Sequence, residues 1–120
     1  MDLNVKREDF GQDDRSWLAT AHGTETARPI NIDVASFAGK VVDGWIKSGY
    51  ALKKIGSRYG LRTDGDADAI EGHLYTAVKV PAGLSVVAGA LYWHGAVVTA
   101  KLPQSVNTAG QATARDIRYF

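Results

Sequence analysis

Three carboxylates at alternate positions, Asp64, Asp66 and Asp68, have the spacing with which a calcium loop opens. The rest of such a loop is missing. Its sixth position is Ala69, where the sharp turn needs glycine, and its twelfth is Tyr75, where a bidentate glutamate would complete the shell. The run therefore reads as a solvated acidic turn. His22, His73 and His94 stand apart from one another at no ligand spacing, with only Glu71 close to His73, so structural or surface roles suit them better than metal ligation. Ser85 lies in Gly83-Leu84-Ser85-Val86-Val87, which lacks the closing glycine of a nucleophile elbow. Gly39-Lys40 is followed by Val41, not by the hydroxyl of a phosphate loop, and no GxGxxG occurs. With Cys 0 there is no thiol nucleophile, thiolate site or disulfide. The expectation is a protein that is not an enzyme, with no catalytic residue, no metal and no cofactor.

Binding chemistry is the next possibility. Lys47, Lys53, Lys54, Arg58 and Arg62 interleave with Trp45, Tyr50 and Tyr59, the ingredients of a stacking platform for single-stranded nucleic acid. The formal net charge is only +1, from 14 basic and 13 acidic residues, so no global field draws in a polyanion. Nucleic acid is the weaker expectation. Charge is nevertheless blocky: residues 1–16 and 64–71 lean acidic and residues 40–62 lean basic, the usual mark of solvated faces. No membrane partner is expected. The longest uncharged run, residues 84–100, contains Gly89, His94 and Gly95 and falls short of the roughly 20 residues of a bilayer span. The first residues are mixed in charge and lack an apolar stretch, so use without export is expected.

The elements that must position these residues are mostly strands. A chain of 120 residues, 45% apolar and 22% charged, makes one soluble domain. Ile30, Ile32 and Val34 alternate with Asn31 and Asp33, which predicts a first strand. Residues 41–46 and 50–55 predict two more, joined at Lys47-Ser48-Gly49, where glycine allows a tight turn. A short excursion through Tyr59 and Leu61 follows, then one alternating strand over residues 74–80. Residues 84–93 and 96–102 predict the central strands, with a turn or bulge at His94-Gly95. A short helix is expected around residues 109–115, weakened by Gly110, and Ile117-Arg118-Tyr119 is expected as the last strand. Residues 1–29 show no period and read as an arm, in which Trp17 either folds back on its own core or inserts into another protein.

The stretch Asp43-Gly44-Trp45-Ile46-Lys47-Ser48-Gly49-Tyr50-Ala51-Leu52 resembles the Gly-x-Ile-x-Ser-Gly-x-x-Leu strand-turn-strand of tailed-bacteriophage head decoration proteins, the family of the lambda capsid-stabilising protein. Ser16-Trp17-Leu18 and His22-Gly23-Thr24 are similar to arms of decoration proteins from phages of actinobacteria. Gly72-His73-Leu74-Tyr75-Thr76-Ala77-Val78, Trp93-His94-Gly95-Ala96-Val97-Val98 with Lys101-Leu102-Pro103, and Ile117-Arg118-Tyr119 resemble later strands in the family's order. Lys47 stands where the family often has proline. The resemblance implies an all-β fold, a small β-clip or β-tulip-like barrel with an extended N-terminal arm and at most one or two short helices. It implies a non-enzymatic cement protein on the outer surface of the virion capsid, a homotrimer whose partner is the major capsid protein. Division at residue 29 separates arm from decoration domain, with Phe10, Trp17, Leu18 and His22 as capsid-contact residues and Trp45, Ser48, Gly49 and Leu52 as the signature turn. The alternative is a small β-barrel module binding single-stranded nucleic acid or an assembly partner.

Overall fold

The computed structural model of the chain describes residues 14–120. Within them the strands are β1 (Arg28–Asp33), β2 (Trp45–Ile46), β3 (Ala51–Ile55), β4 (Arg58–Leu61), β5 (Gly72–Leu74), β6 (Val78–Lys79), β7 (Val86–Tyr92), β8 (Gly95–Val97) and β9 (Ile117–Tyr119). One short helix, α1 (Thr108–Gln111), and three 3-10 turns complete the described residues, so the protein is all-β. Five strands close a barrel in the order β1-β4-β3-β5-β7, and two ribbons, β2-β6 and β8-β9, lie outside it. The longest ladder, antiparallel from Arg28↔Leu91 to Asp33↔Val86, joins β7 to β1 and seals the barrel.

Turn chemistry explains where the strands stop. Ile55 pairs with Arg58 across two residues, and Gly56 takes φ +59 at the first of them, the position at which a type II′ hairpin needs glycine. The expected excursion through Tyr59 and Leu61 is therefore a full barrel strand, β4. The expected strand over residues 41–46 shrinks to β2 for a similar reason. Asp43 and Gly44 take φ +53 and +80, and Val42 and Trp45 exchange two backbone bonds of 2.9 Å around them. That is the pattern of a type I′ turn, which needs positive φ at both central residues.

Residues 74–80 also do not form one strand. Leu74 ends β5 inside the barrel, while Val78 pairs with Ile46 in the ribbon, so the chain changes sheets between them. The residues flanking Ser48-Gly49 change sheets likewise, since β2 pairs with β6 and β3 with β4 and β5. After β8 the expected strand gives way to a 3-10 turn at Thr99–Lys101. The helix starts earlier than expected, because Asn107 caps it: its Oδ1 accepts the Gly110 N–H at 2.7 Å.

The division at residue 29 falls inside β1, and residues 14–27 are not a separate arm. The Leu18 backbone bridges Val97, the Ala19 N–H donates to the Ala96 carbonyl at 3.1 Å, and the Val98 N–H donates to the Trp17 carbonyl at 2.7 Å. Residues 17–19 thus add to one edge of β8 as an antiparallel strand would, while β9 runs parallel along the other. Their backbone groups would otherwise be left without partners once Trp17 is buried.

Two cores result, one on each side of the wall β3-β5-β7. Successive strand residues point to opposite faces. Leu52, Leu74 and Leu91 point into the barrel, where they meet Ile32, Phe37, Ile46, Leu61 and Val87. Ala51, His73 and Tyr92, paired across the same wall, point outward. Trp17, Val97, Val106 and Ile117 cover that outer face.

Candidate functional site

Trp17 is 1% exposed: of the two placements open to it from the sequence, it folds back on its own core. Its ring packs edge-on against Tyr92 at 5.5 Å between centroids and lies 6.0 Å from the His73 ring. The physical reason is complementary satisfaction: the buried indole N–H donates to Ser48 Oγ at 3.0 Å, and that hydroxyl donates to the Asp14 carbonyl at 2.9 Å. A buried indole N–H without an acceptor would be costly, and Ser48 supplies the acceptor.

The Ser48-Gly49 turn is shaped around this ring. Gly49 takes φ +101, and a Cβ there would lie 3.0 Å from two atoms of the Trp17 indole and 2.7 Å from Pro103 Cδ. Its N–H donates to the Leu74 carbonyl at 2.7 Å, and its carbonyl lies 2.7 Å from His73 Nδ1. A carbonyl only accepts, so Nδ1 carries the ring proton and Nε2 is the acceptor for the Tyr119 hydroxyl at 2.7 Å. The imidazole is 0% exposed, and burial pushes its pKa down to about 4 against the opposing effect of the Gly49 bond. Burial likewise raises the Tyr119 phenol, with the Arg62 guanidinium acting the other way. Tyr92 completes the row: its hydroxyl donates to the His22 carbonyl at 3.0 Å and accepts the Ala96 N–H at 2.9 Å. One wall face thus clamps the N-terminal segment, the signature turn and the C-terminal strand.

No protein-family model, curated protein or solved structure matches the chain.

The remaining residues singled out from sequence do not converge on this latch. Phe10 lies outside the described residues. Leu18 is half-buried against the outer core, and His22 is exposed, its ring 4.9 Å from that of His94. Leu52 belongs to the barrel interior, and Trp45 pairs with Lys79 in the outlying ribbon. Of the signature turn, only Ser48 and Gly49 meet Trp17. His73, Tyr92 and Tyr119 were not read as site residues; the one signal for His73 was its place in an apolar alternation, where an unpaired imidazole would be costly.

Depressions mark the surface of the described residues. One of about 390 Å³ is bordered by Arg28, Glu71, Trp93 and Arg115, with the Arg28 guanidinium 5.2 Å above the Trp93 ring. The Trp93 N–H donates to the Thr26 carbonyl at 2.8 Å. Another, of about 330 Å³, is bordered by His22, His94, Asp116 and Phe120. Among the described residues no three His, Asp or Glu side chains group as metal ligands would. In the acidic turn the Lys53 ammonium sits 3.0 Å from Asp66 and 3.8 Å from Asp68. A bond from the Thr63 N–H, then that ammonium, holds the Asp66 carboxyl below the usual carboxylate range.

Most of the basic and aromatic residues that suggested a stacking platform have partners within the fold, whereas Lys47 is exposed. Arg62 is buried and donates to the carbonyls of Asp68 at 2.7 Å and Asp66 at 3.2 Å. Arg58 pairs with Asp33 at 3.4 Å, Lys54 lies over Tyr59, and Tyr50 is buried against Phe37. Among the described residues no helix is long and apolar enough to cross a membrane.

Proposed function

We propose that the chain is a non-enzymatic capsid decoration protein of a tailed bacteriophage. It binds the outer surface of the expanded head and stabilises the shell by bridging major capsid proteins, with the homotrimer as the working unit. The observation that carries this reading is the role of Ser48-Gly49. The turn whose sequence resembles the family motif is also the turn that seats Trp17 and fixes the chain at Asp14. A cement protein needs such an anchor, because a docking segment tied firmly to a rigid body loses less freedom on binding. Contacts repeated around a trimer then act together, so each can be modest. The state of the polar side chains supports a structural role: Arg62, Asp66 and His73 are each held by partners within the fold.

Co-sedimentation with expanded heads of a tailed bacteriophage, assembled from its major capsid protein, tests the proposal. The full chain is expected to pellet with expanded heads and to raise their resistance to heat. A variant lacking residues 1–13 keeps Trp17 and β1, and is expected to stay folded and bind more weakly. Deleting residues 1–29 is not a clean alternative, since it removes Trp17 and the first two residues of β1. Equal binding by both forms would place the docking surface on the body, and no pelleting by the full chain would refute the reading.

A further inference from the structure

His73 is a completely buried ionisable ring at the one place where both ends of the described chain meet the barrel wall. It receives one group from each neighbouring element: Ala51 from β3, the Tyr92 phenol from β7, the Trp17 indole from the N-terminal segment, the Tyr119 phenol from β9 and the Gly49 carbonyl from the turn. None of these carries a negative charge at neutral pH. The influences on the imidazole are burial and the Gly49 carbonyl, with no carboxylate among them, and the charge acting on Tyr119 is the positive one of Arg62. Charged residues of the same elements are engaged or exposed elsewhere: Arg15 lies over the Tyr75 ring, Lys53 pairs with Asp66, and Asp14, Lys47 and Arg118 are exposed.

The bonding of the ring suits the neutral form alone. Nδ1 donates to Gly49 and Nε2 accepts from Tyr119, so a solvent proton added at Nε2 turns that acceptor into a donor. The Tyr119 hydroxyl must then rotate to accept and lose its own acceptor. An imidazolium with one carbonyl, a phenol oxygen and a cation beyond it is held much less well than in water. Water can reach it by two routes. One breaks the ladders of β5 with β3 and β7. The other lifts the cover, in which residues 17–19 are held by two backbone bonds to β8 and its flank and by the Ser48 bond. Lifting the cover disrupts fewer bonds and leaves the barrel interior dry.

We propose that His73 is an acid release for the latch: protonating its imidazole frees Trp17 and β9 from the barrel wall together, while the barrel stays closed. The device belongs to the chain itself and holds whatever the chain binds.

A nuclear magnetic resonance titration of the full chain from pH 7 to pH 3.5 tests this without any ligand. The Trp17 indole N–H and the Tyr119 amide are expected to lose their folded shifts with the midpoint of the His73 ring, below pH 5, while the Leu52 amide and the Trp45 indole hold. His73→Gln, which can donate to Gly49 but takes no proton, is expected to keep the Trp17 signal across the range. His22→Gln with His94→Gln is expected to leave the midpoint unchanged, which separates the exposed pair from the buried ring. The proposal is overturned if Trp17 holds its shift while His73 titrates. It is equally overturned if barrel amides are lost at the same pH, or if His73→Gln releases Trp17 at the native midpoint. Should His73→Gln fail to fold, the titration of the native chain still decides between these outcomes.

Discussion

The two faces of the wall β3-β5-β7 are packed by different physics. Inside the barrel, Leu52, Leu74 and Leu91 cohere with other aliphatic side chains through non-directional burial. Outside it, the Trp17 indole donates to the Ser48 hydroxyl, the Tyr119 phenol bonds the His73 ring and the Tyr92 hydroxyl donates to the His22 carbonyl, all through bonds of fixed direction. The inner face tolerates any side chain of suitable volume, whereas the outer face depends on particular atoms and on a protonation state. The difference shows how a small chain without disulfides can fasten its end segments: the barrel supplies a rigid wall, and polar aromatic contacts fix what lies on it.

Removing the indole tests this contrast most severely. Trp17→Ala is expected to destabilise the fold by about 3–5 kcal/mol, and Leu52→Ala by about 2–5 kcal/mol, from lost burial and the cavities left behind. Urea denaturation followed by circular dichroism measures both. Hydrogen exchange then sharpens the comparison, since Trp17→Ala should loosen β8 and β9 before β3, and Leu52→Ala should loosen all strands together. A Trp17→Ala variant with a native midpoint would break the comparison and return Trp17 to a role in partner binding.

Acid separates the faces next. His73 binds a proton less readily when folded, at about 4, than at the ordinary value of 6.5, so between these values the unfolded chain carries more protons. The contribution of His73 to stability is therefore complete above pH 6.5, falls as pH drops through the window, and levels off below about pH 4. The whole difference corresponds to about 3 kcal/mol. Denaturant midpoints at pH 7, 5 and 4 should follow that slope in the native chain, and His73→Gln should flatten most of it. An equal slope in the variant would assign the acid sensitivity to other groups.

The inner face was legible in the sequence and the outer face was not. Alternation at Ile30, Ile32 and Val34 gave β1, and the apolar run before His94 gave β7, because period-two burial leaves a local trace. The same trace misled over residues 74–80. Leu74 and Val78 are both buried, but in different sheets, and a change of sheet leaves the period intact. The latch had no local trace at all. Trp17 finds Ser48 across 31 residues, His73 finds Tyr119 across 46, and Tyr92 finds the His22 carbonyl across 70. Residues 14–27 looked like an arm because a segment held by a few long-range contacts needs no periodicity. The Ser48-Gly49 turn was singled out by resemblance, and the ring that fills it became evident only from the fold.

Gly49 offers a smaller and more local break. A methyl group there would press on Pro103 and the Trp17 indole in a backbone conformation that L side chains rarely adopt. Gly49→Ala is expected to cost about 1–3 kcal/mol, as overpacking does, with the Trp17 emission spectrum shifting to the red. Retention of both native stability and native emission would show that the turn yields easily and that its glycine is not required by the ring.

The single bond between Trp17 and Ser48 is the finest test of directional packing. Ser48→Ala leaves the buried indole N–H without an acceptor and the Asp14 carbonyl without its donor, an expected loss of about 1–3 kcal/mol. Trp17→Phe removes the N–H but keeps an aromatic ring, so the double variant should lose less than the sum of the two single ones. A coupling of about 1 kcal/mol in that cycle, read from urea midpoints, is expected if the hydrogen bond itself orients the ring. Strict additivity would mean that the indole is held by shape alone. The outer face would then be packed by the same non-directional burial as the inner one, and only His73 would distinguish them.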